Sequence, residues 1–191
     1  MPGMVAEGAI ELSGFAIGAA EKGDLIDPTS IRRGDVLVGF PSAGFHANGF
    51  SLVRRVIESE KLDLSADEYR TLLLPTRLYH VESGNLRKKV PSLRAMSHVT
   101  GGGLPENLGR LLVFGRHGAH LRLPAWGNGV VQKILAHVDP RDAIHTFNMG
   151  FGWAAIVGAA DADKALACGE GGVILGEVDG SGEVSVEVAA R

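Results

Sequence analysis

The chain alternates between short apolar runs and longer stretches in which apolar positions recur at helical spacing. Residues 36–40, Val-Leu-Val-Gly-Phe, follow Gly34-Asp35 and stop at Pro41, and their β-branched, unbroken character predicts a buried strand. Beyond them Phe50, Val53, Ile57 and Leu62 fall near the 3.6-residue period, with Arg54, Arg55, Glu58 and Glu60 on the other side. That pattern predicts an amphipathic helix with Asn48 as its N-cap. Ser65 with Glu68 three positions on has the form of a capping box, which predicts a second helix over 65–74, ended by Pro75. Further strands are predicted over 11–20, 93–99, 120–123 and 152–158, and further helices over 104–112, 130–138 and 141–147. Residues 172–178 and 184–188 flank Asp179-Gly180-Ser181-Gly182 and predict a closing hairpin. Residues 1–10 read as a linker and 11–191 as one domain. Strands alternating with helices, plus the final hairpin, predict an α/β (α+β) fold in which a mixed β-sheet packs with helices in layers.

Composition narrows the class. At 191 residues, 45% of them hydrophobic and 21% charged, the chain is long enough for one sizeable core and short for two. Nineteen basic against 22 acidic side chains give a net charge of -3, which is not the field of a protein that coats nucleic acid. A small anionic metabolite stays open as a ligand. No apolar run reaches the roughly 20 residues of a membrane helix, and the opening Met-Pro-Gly-Met-Val-Ala-Glu-Gly has neither a basic n-region nor an apolar core. The expectation is a cytoplasmic protein with no membrane partner. Cys168 is the sole cysteine, which excludes an internal disulfide framework and a zinc site of several thiolates. Glycine is the unusual residue: 27 of 191, about twice the usual share, clustered over 34–49, 101–103, 150–152 and 169–172 beside apolar runs.

Those clusters hold the candidate chemistry. Thr100, Gly101, Gly102 and Gly103 precede a predicted helix, whose unpaired amides and partial positive charge make a plausible phosphate cradle. A tight turn without function explains the same glycines, and neither Gly-x-Gly-x-x-Gly nor the P-loop pattern occurs anywhere. The loop over 41–49 gathers Ser42, His46 and Asn48 at the end of a predicted strand, where ligands bind. A satisfied loop histidine with an ordinary Asn cap is the other reading. Glu106 and Asn107 either orient a ligand or lie on a solvated helix face, and Arg77 either binds an anion or sits at the surface, while Phe151 and Trp153 most simply pack the core. His117 and His120 lack the third ligand that a metal site requires.

Four segments carry a family resemblance. They are residues 34–54, including Gly-Phe-His-Ala-Asn-Gly-Phe-Ser; residues 74–79, Leu-Pro-Thr-Arg-Leu-Tyr; residues 98–107, His-Val-Thr-Gly-Gly-Gly-Leu-Pro-Glu-Asn; and residues 147–152, Phe-Asn-Met-Gly-Phe-Gly. In order and spacing they resemble the phosphoribosylformylglycinamidine cyclo-ligase family, also called aminoimidazole ribonucleotide synthetase. Ala47 stands where the family usually has serine, and Phe151 where it has isoleucine. The resemblance spans nearly the whole chain but only the family's C-terminal domain, since Met1-Pro2-Gly3-Met4 looks like the junction between the family's two domains.

The resemblance implies an enzyme that uses ATP and magnesium to activate the formyl oxygen of formylglycinamidine ribonucleotide as a phosphate ester, after which the amidine nitrogen closes an imidazole ring. Much of the ATP and magnesium site is implied to lie on an N-terminal domain missing from this sequence, either part of the same full-length protein or a separate subunit. The chain alone is then expected to bind no cofactor tightly, to turn nothing over and to self-associate. By the same resemblance Ser42, His46 and Asn48 face the substrate, and Thr100, Gly101, Gly102 and Gly103 hold phosphate through backbone amides. No general base is assigned. A non-catalytic domain that binds a metabolite or a partner is the alternative.

Overall fold

The computed structural model describes residues 14–127 and 129–189. The expected linker over 1–10 and the first part of the strand expected over 11–20 lie outside them. Residues 14–20 form no strand. Phe15 and Ile17, the large apolar residues of that stretch, are 91% and 86% exposed, and no described strand runs beside them to complete a ladder.

Among the described residues six strands form one sheet: β1 (Val36–Pro41), β2 (Leu93–His98), β3 (Gly118–Leu123), β4 (Phe151–Val157), β5 (Val173–Asp179) and β6 (Val184–Val188). The helices are α1 (Phe50–Ser59), α2 (Ala66–Leu72), α3 (His80–Lys89), α4 (Gly103–Leu112), α5 (Gly129–Leu135), α6 (Pro140–Thr146) and α7 (Ala162–Leu166). Strand order is β2-β4-β1-β5-β3-β6. Only β3 and β6 pair in parallel, so the sheet is mixed and mainly antiparallel.

Helices α1, α2, α4, α5 and α6 cover one face with a large core that includes Leu37, Val53, Leu104, Leu108, Ile134, Phe147, Ala154 and Ile156. On the other face α3 and α7 form a smaller core over β1 and β4, through Val38, Phe40, Leu86, Ala155, Val157 and Ala165, with Leu93 and Met96 of β2 packed against it. Strands β1 and β4 are thus buried on both sides, which is why their sequences are unbroken apolar runs. Strand β3 alternates instead, with Ala119, Leu121 and Leu123 inward and His120 and Arg122 exposed.

Three local expectations are corrected. Helix α1 is capped by Gly49, whose φ of 76° turns the chain into the helix without a side-chain bond, and not by Asn48. The two final strands are not a hairpin, because β3 lies between them and pairs with both. The connection over 180–183 straddles the start of β3: Ala119 N–H donates to Glu183 O at 2.9 Å, and a Cβ on Gly118 would run into Ser181 and Glu183. Strand β1 also takes in Pro41, at a register irregularity beside Phe40. Helix α3 has no counterpart in the sequence reading, since only Glu82 and Leu86 of its ten residues are buried and no apolar stripe forms.

The capping box of α2 is present in full, Ser65 Oγ accepting from Glu68 N–H and Glu68 Oε2 from Ser65 N–H. Glu68 also pairs with Lys133 of α5 at 2.5 Å. Lys133 first, then the Ser65 donors, draw the Glu68 carboxyl down to about 2. Lys164 and then Ser92 do the same for Asp161, also to about 2. Both folded-state values lie below the ordinary 4.5 and 3.8, so their stabilisation is present above those values and lost as pH falls toward 2. Thermal unfolding followed from pH 6 to pH 2, roughly the range over which carboxylates titrate, should show a declining acid limb that flattens in Glu68→Gln and Asp161→Asn. An unchanged limb in both variants contradicts this assignment.

A second prediction concerns Gly103, which begins α4 at φ 61° and packs where a Cβ would collide with the carbonyl oxygen of Ile144 in α6. Gly103→Ala should cost more than about 2 kcal/mol in urea unfolding. Gly101→Ala, with open space around its Cβ, should stay within about 0.5 kcal/mol.

Candidate functional site

Strands β1 and β2 run in the same direction on either side of β4, with Pro41 opposite Phe151 and His98 opposite Trp153. Their C-terminal ends therefore meet the N-terminal end of β4 at one end of the sheet. The loops over 42–49, 99–102 and 147–150 all lie there. The segment over 77–79 is fastened to the same end, since the Tyr79 hydroxyl and Arg77 Nη1 donate to Pro41 O at 2.9 and 3.1 Å. All four segments that carry the family resemblance thus converge.

Two buried carboxamides hold these loops. Asn148 donates from Nδ2 to Gly44 O at 2.8 Å, and its Oδ1 accepts from Gly150 N–H at 2.9 Å and from the Ser42 hydroxyl at 3.1 Å. Ser42 N–H donates to Gly150 O at 2.7 Å and closes the link between the loops. Asn107, one turn into α4, donates to Gly103 O at 2.7 Å and Gly101 O at 3.1 Å and accepts from the Thr100 hydroxyl at 3.4 Å. The carbonyls of the glycine loop are therefore turned toward the protein.

The amides of that loop are left over. The N–H groups of Gly101, Gly102 and Leu104 have no acceptor among the described residues, whereas Gly103 N–H donates to Thr100 O at 3.1 Å. Gly103 N–H is thus engaged within the loop, and the N–H of Leu104 is open beside those of Gly101 and Gly102 among the described residues. Gly102 and Gly103 both have positive φ, at 89° and 61°. Free backbone donors at a helix start are chemically suited to an anion such as phosphate. Glu106 folds back so that its carboxylate would meet a Cβ on Gly102, and its other oxygen pairs with Arg110.

The loop over 42–49 is more enclosed than its sequence implies. His46 is 2% exposed and stands at φ 59°. Its Nε2 accepts from Ala43 N–H at 3.1 Å and lies 3.5 Å from Arg77 N, while Nδ1 is buried without a partner among the described residues. Burial first, then the nearby His98 and Arg77, lower its pKa to about 4, so the ring is neutral at neutral pH. Ser42 faces Asn148, and Asn48 is half-buried with no hydrogen bond among the described residues.

Sequence reasoning missed the aromatic neighbours. The His46 ring lies 6.2 Å from Tyr79 and 6.4 Å from the exposed His98, and Tyr79 stacks on Trp153 at 5.7 Å. Burial first raises the Tyr79 hydroxyl to about 12, which keeps it a neutral donor. Arg77 reaches Glu82 of α3 at 2.6 Å and lies 5.5 Å over the Tyr79 ring. His98 was discoverable as the residue that opens its resembling segment. His117 and His120 point to separate partners, Ile31 O and the Ser185 hydroxyl.

Known proteins resemble this chain in sequence and in fold. The family model described as AIR synthase related protein, C-terminal domain, matches residues 32–189. The chain is 47% identical over 175 residues to phosphoribosylformylglycinamidine cyclo-ligase of Burkholderia ambifaria, covering 87% of this chain and 49% of that protein. The Burkholderia cenocepacia protein of the same name is 46% identical over the same shares. The chain spans about half the length of the curated relatives it matches. Among solved structures, thiamine-monophosphate kinase from Stenotrophomonas maltophilia is similar with a TM-score of 0.59 at 18% identity, covering 90% of this chain and 56% of that one. The E. coli protein HypE gives 0.57 at 20% identity, covering 85% and 48%. At such identities these two show the fold alone, whereas the family match and the 47% identity reach the chain itself: it belongs to the AIR synthase related proteins, as their C-terminal domain.

Proposed function

We propose that this chain is the C-terminal part of an ATP-dependent cyclo-ligase that converts formylglycinamidine ribonucleotide to aminoimidazole ribonucleotide in purine biosynthesis. The observation that carries the reading is the set of unpaired amides at Gly101, Gly102 and Leu104, beside the His46 loop, in a chain 47% identical to proteins of that name. The glycine loop clamps a phosphate of the substrate or of the nucleotide. Ser42, His46 and Asn48 form the wall that faces the substrate, and Thr100 supports the clamp through Asn107. Holding the phosphate fixes the reacting end of the ligand against that wall, which lowers the entropic part of the barrier.

ATP with magnesium would supply the phosphoryl group that activates the formyl oxygen. The amide run fits a phosphate, but among the described residues no group of three or more His, Cys, Asp or Glu side chains converges to hold a cation. No step is derived through a metal on this chain. The reading places the carboxylates for it on an N-terminal domain, in keeping with relatives about twice as long. Residues 1–10 are the connection to that domain, and 11–191 are the C-terminal unit. A cytoplasmic location accompanies this reading; no helix among the described residues is long and apolar enough to cross a membrane. The half-length match equally favours a second reading, a non-catalytic domain that binds a metabolite or partner.

The first test mixes the purified chain with ATP, magnesium and formylglycinamidine ribonucleotide. No aminoimidazole product should form until the N-terminal half of a full-length relative is added, because charge developing at the transferred phosphoryl is uncompensated without it. Turnover by the chain alone contradicts the incompleteness, and no turnover after addition favours the non-catalytic reading.

A second test titrates inorganic phosphate and follows backbone amides by NMR. Gly101, Gly102 and Leu104 should shift first, with a millimolar Kd, on the order of -4 kcal/mol. Gly102→Val should abolish the shifts, since a branched side chain resists φ of 89° and crowds Glu106. Shifts centred on His117 and His120 would refute the assignment.

A further inference from the structure

Among the four converging segments, one side chain touches two site loops and has no exposed atom to offer a ligand. Asn148 is 1% exposed. Its three hydrogen bonds, to Gly44 O, from Gly150 N–H and from the Ser42 hydroxyl, use both ends of the carboxamide. The bond to Gly44 O fixes the peptide plane between Gly44 and Phe45, within a loop whose next residue but one is His46. Gly44 takes its φ of 154° freely as a glycine, but His46 at φ 59° is in a conformation that L-residues seldom keep, so the loop needs outside support.

That support decides the chemistry of the imidazole. Ala43 N–H points at Nε2 from 3.1 Å, with Arg77 N at 3.5 Å. A nitrogen that accepts N–H donors carries a lone pair, so in the neutral ring the proton sits on Nδ1. Nδ1 is buried and has no partner among the described residues, beside Gly152, where a Cβ would crowd both the His46 ring and the Tyr79 hydroxyl. The Tyr79 hydroxyl is spent on Pro41 O. His46 therefore keeps one unused hydrogen-bonding atom, and that atom is a donor.

We propose that Asn148 is a positioning residue that acts through the loop over 42–46 to hold His46 as the Nδ1–H tautomer, a neutral donor for a carbonyl, carboxylate or phosphate oxygen of the ligand. This rests on the reading of the 42–49 loop as a ligand wall. It is independent of the phosphate clamp at the glycine loop. Asn148 stabilises the loop in any case; what a merely structural role does not require is control over which ring nitrogen bears the proton.

The test is a long-range ¹H–¹⁵N NMR spectrum of the imidazoles in the whole chain, recorded across pH. In the native protein His46 should show a protonated Nδ1 and an unprotonated Nε2, with a titration midpoint near 4. Asn148→Leu, which adds no charge, should release the loop, populate the Nε2–H tautomer and move the midpoint toward the ordinary 6.5, up to a several-hundredfold gain in proton affinity. Ser42→Ala removes only the hydroxyl bond to Asn148 and should give a smaller shift in the same direction. Addition of sodium formate, formamide or inorganic phosphate should move the His46 Nδ1 proton downfield in the native chain, and which probe does so separates carboxylate, carbonyl and phosphate as the acceptor.

An Nε2–H tautomer in the native protein overturns the proposal without any variant, even if Asn148→Leu fails to fold. A folded Asn148→Leu with unchanged tautomer and midpoint overturns the positioning role. An Nδ1 proton unmoved by all three probes overturns the ligand role. Phosphate shifts at Gly101 and Gly102 that persist through any of these leave the phosphate clamp standing.

Discussion

Strand β4 is the constraint on which the site depends. It is hydrogen-bonded on both edges, to β1 and β2, and buried on both faces, with Ala154 and Ile156 in one core and Ala155 and Val157 in the other. A one-residue slip in either ladder would turn each of those side chains to the opposite face, so two cores together enforce the register. The register in turn sets Pro41 against Phe151 and His98 against Trp153, and with them the loops that follow β1 and β2. The absence of a side chain at Gly152 lets His46 and Tyr79 close over that same strand end. The precision of the site is thus inherited from a sheet, while the groups that face a ligand lie on loops.

Polar bookkeeping around those loops follows one rule. Carbonyl oxygens are gathered inward by Asn107 and Asn148, and donors are left over, at the glycine-loop amides and at His46 Nδ1. Unsatisfied donors cost stability, which the two large cores can offset. The polar groups of these loops that stay unpaired among the described residues are thus N–H groups of the glycine loop and one imidazole nitrogen, with the Glu106 carboxylate beside Gly102 and tethered by Arg110.

What the sequence revealed follows from burial. The runs over 36–40 and 152–158 were legible because strands buried on both faces leave no polar positions, and α2 because Ser65 and Glu68 interact locally. Helix α3 was illegible because its short contact with the sheet needs one leucine and a glutamate that answers Arg77, a pairing set by tertiary structure. The cap of α1 misled because Asn48 is the commoner capping residue, yet Gly49 supplies the left-handed turn. The closing hairpin misled because a turn signal reports that the chain reverses, not what lies between the two strands. At the site, the glycine loop and His46 were named from local pattern, whereas Asn148 and the Tyr79, His98 and Trp153 cluster exist only where distant segments meet.

The strand order carries a consequence for how the chain acquires this structure. In β2-β4-β1-β5-β3-β6 no strand pairs with its immediate neighbour in sequence. There is no local hairpin to form early, and β1 and β2 must both wait for residues 151–157 before either gains a ladder partner. Such non-local pairing makes for slow folding and a prolonged interval with open strand edges. During synthesis the first three-quarters of the chain would leave the ribosome as helices and unpaired strands, and the sheet would assemble only once β4 arrives.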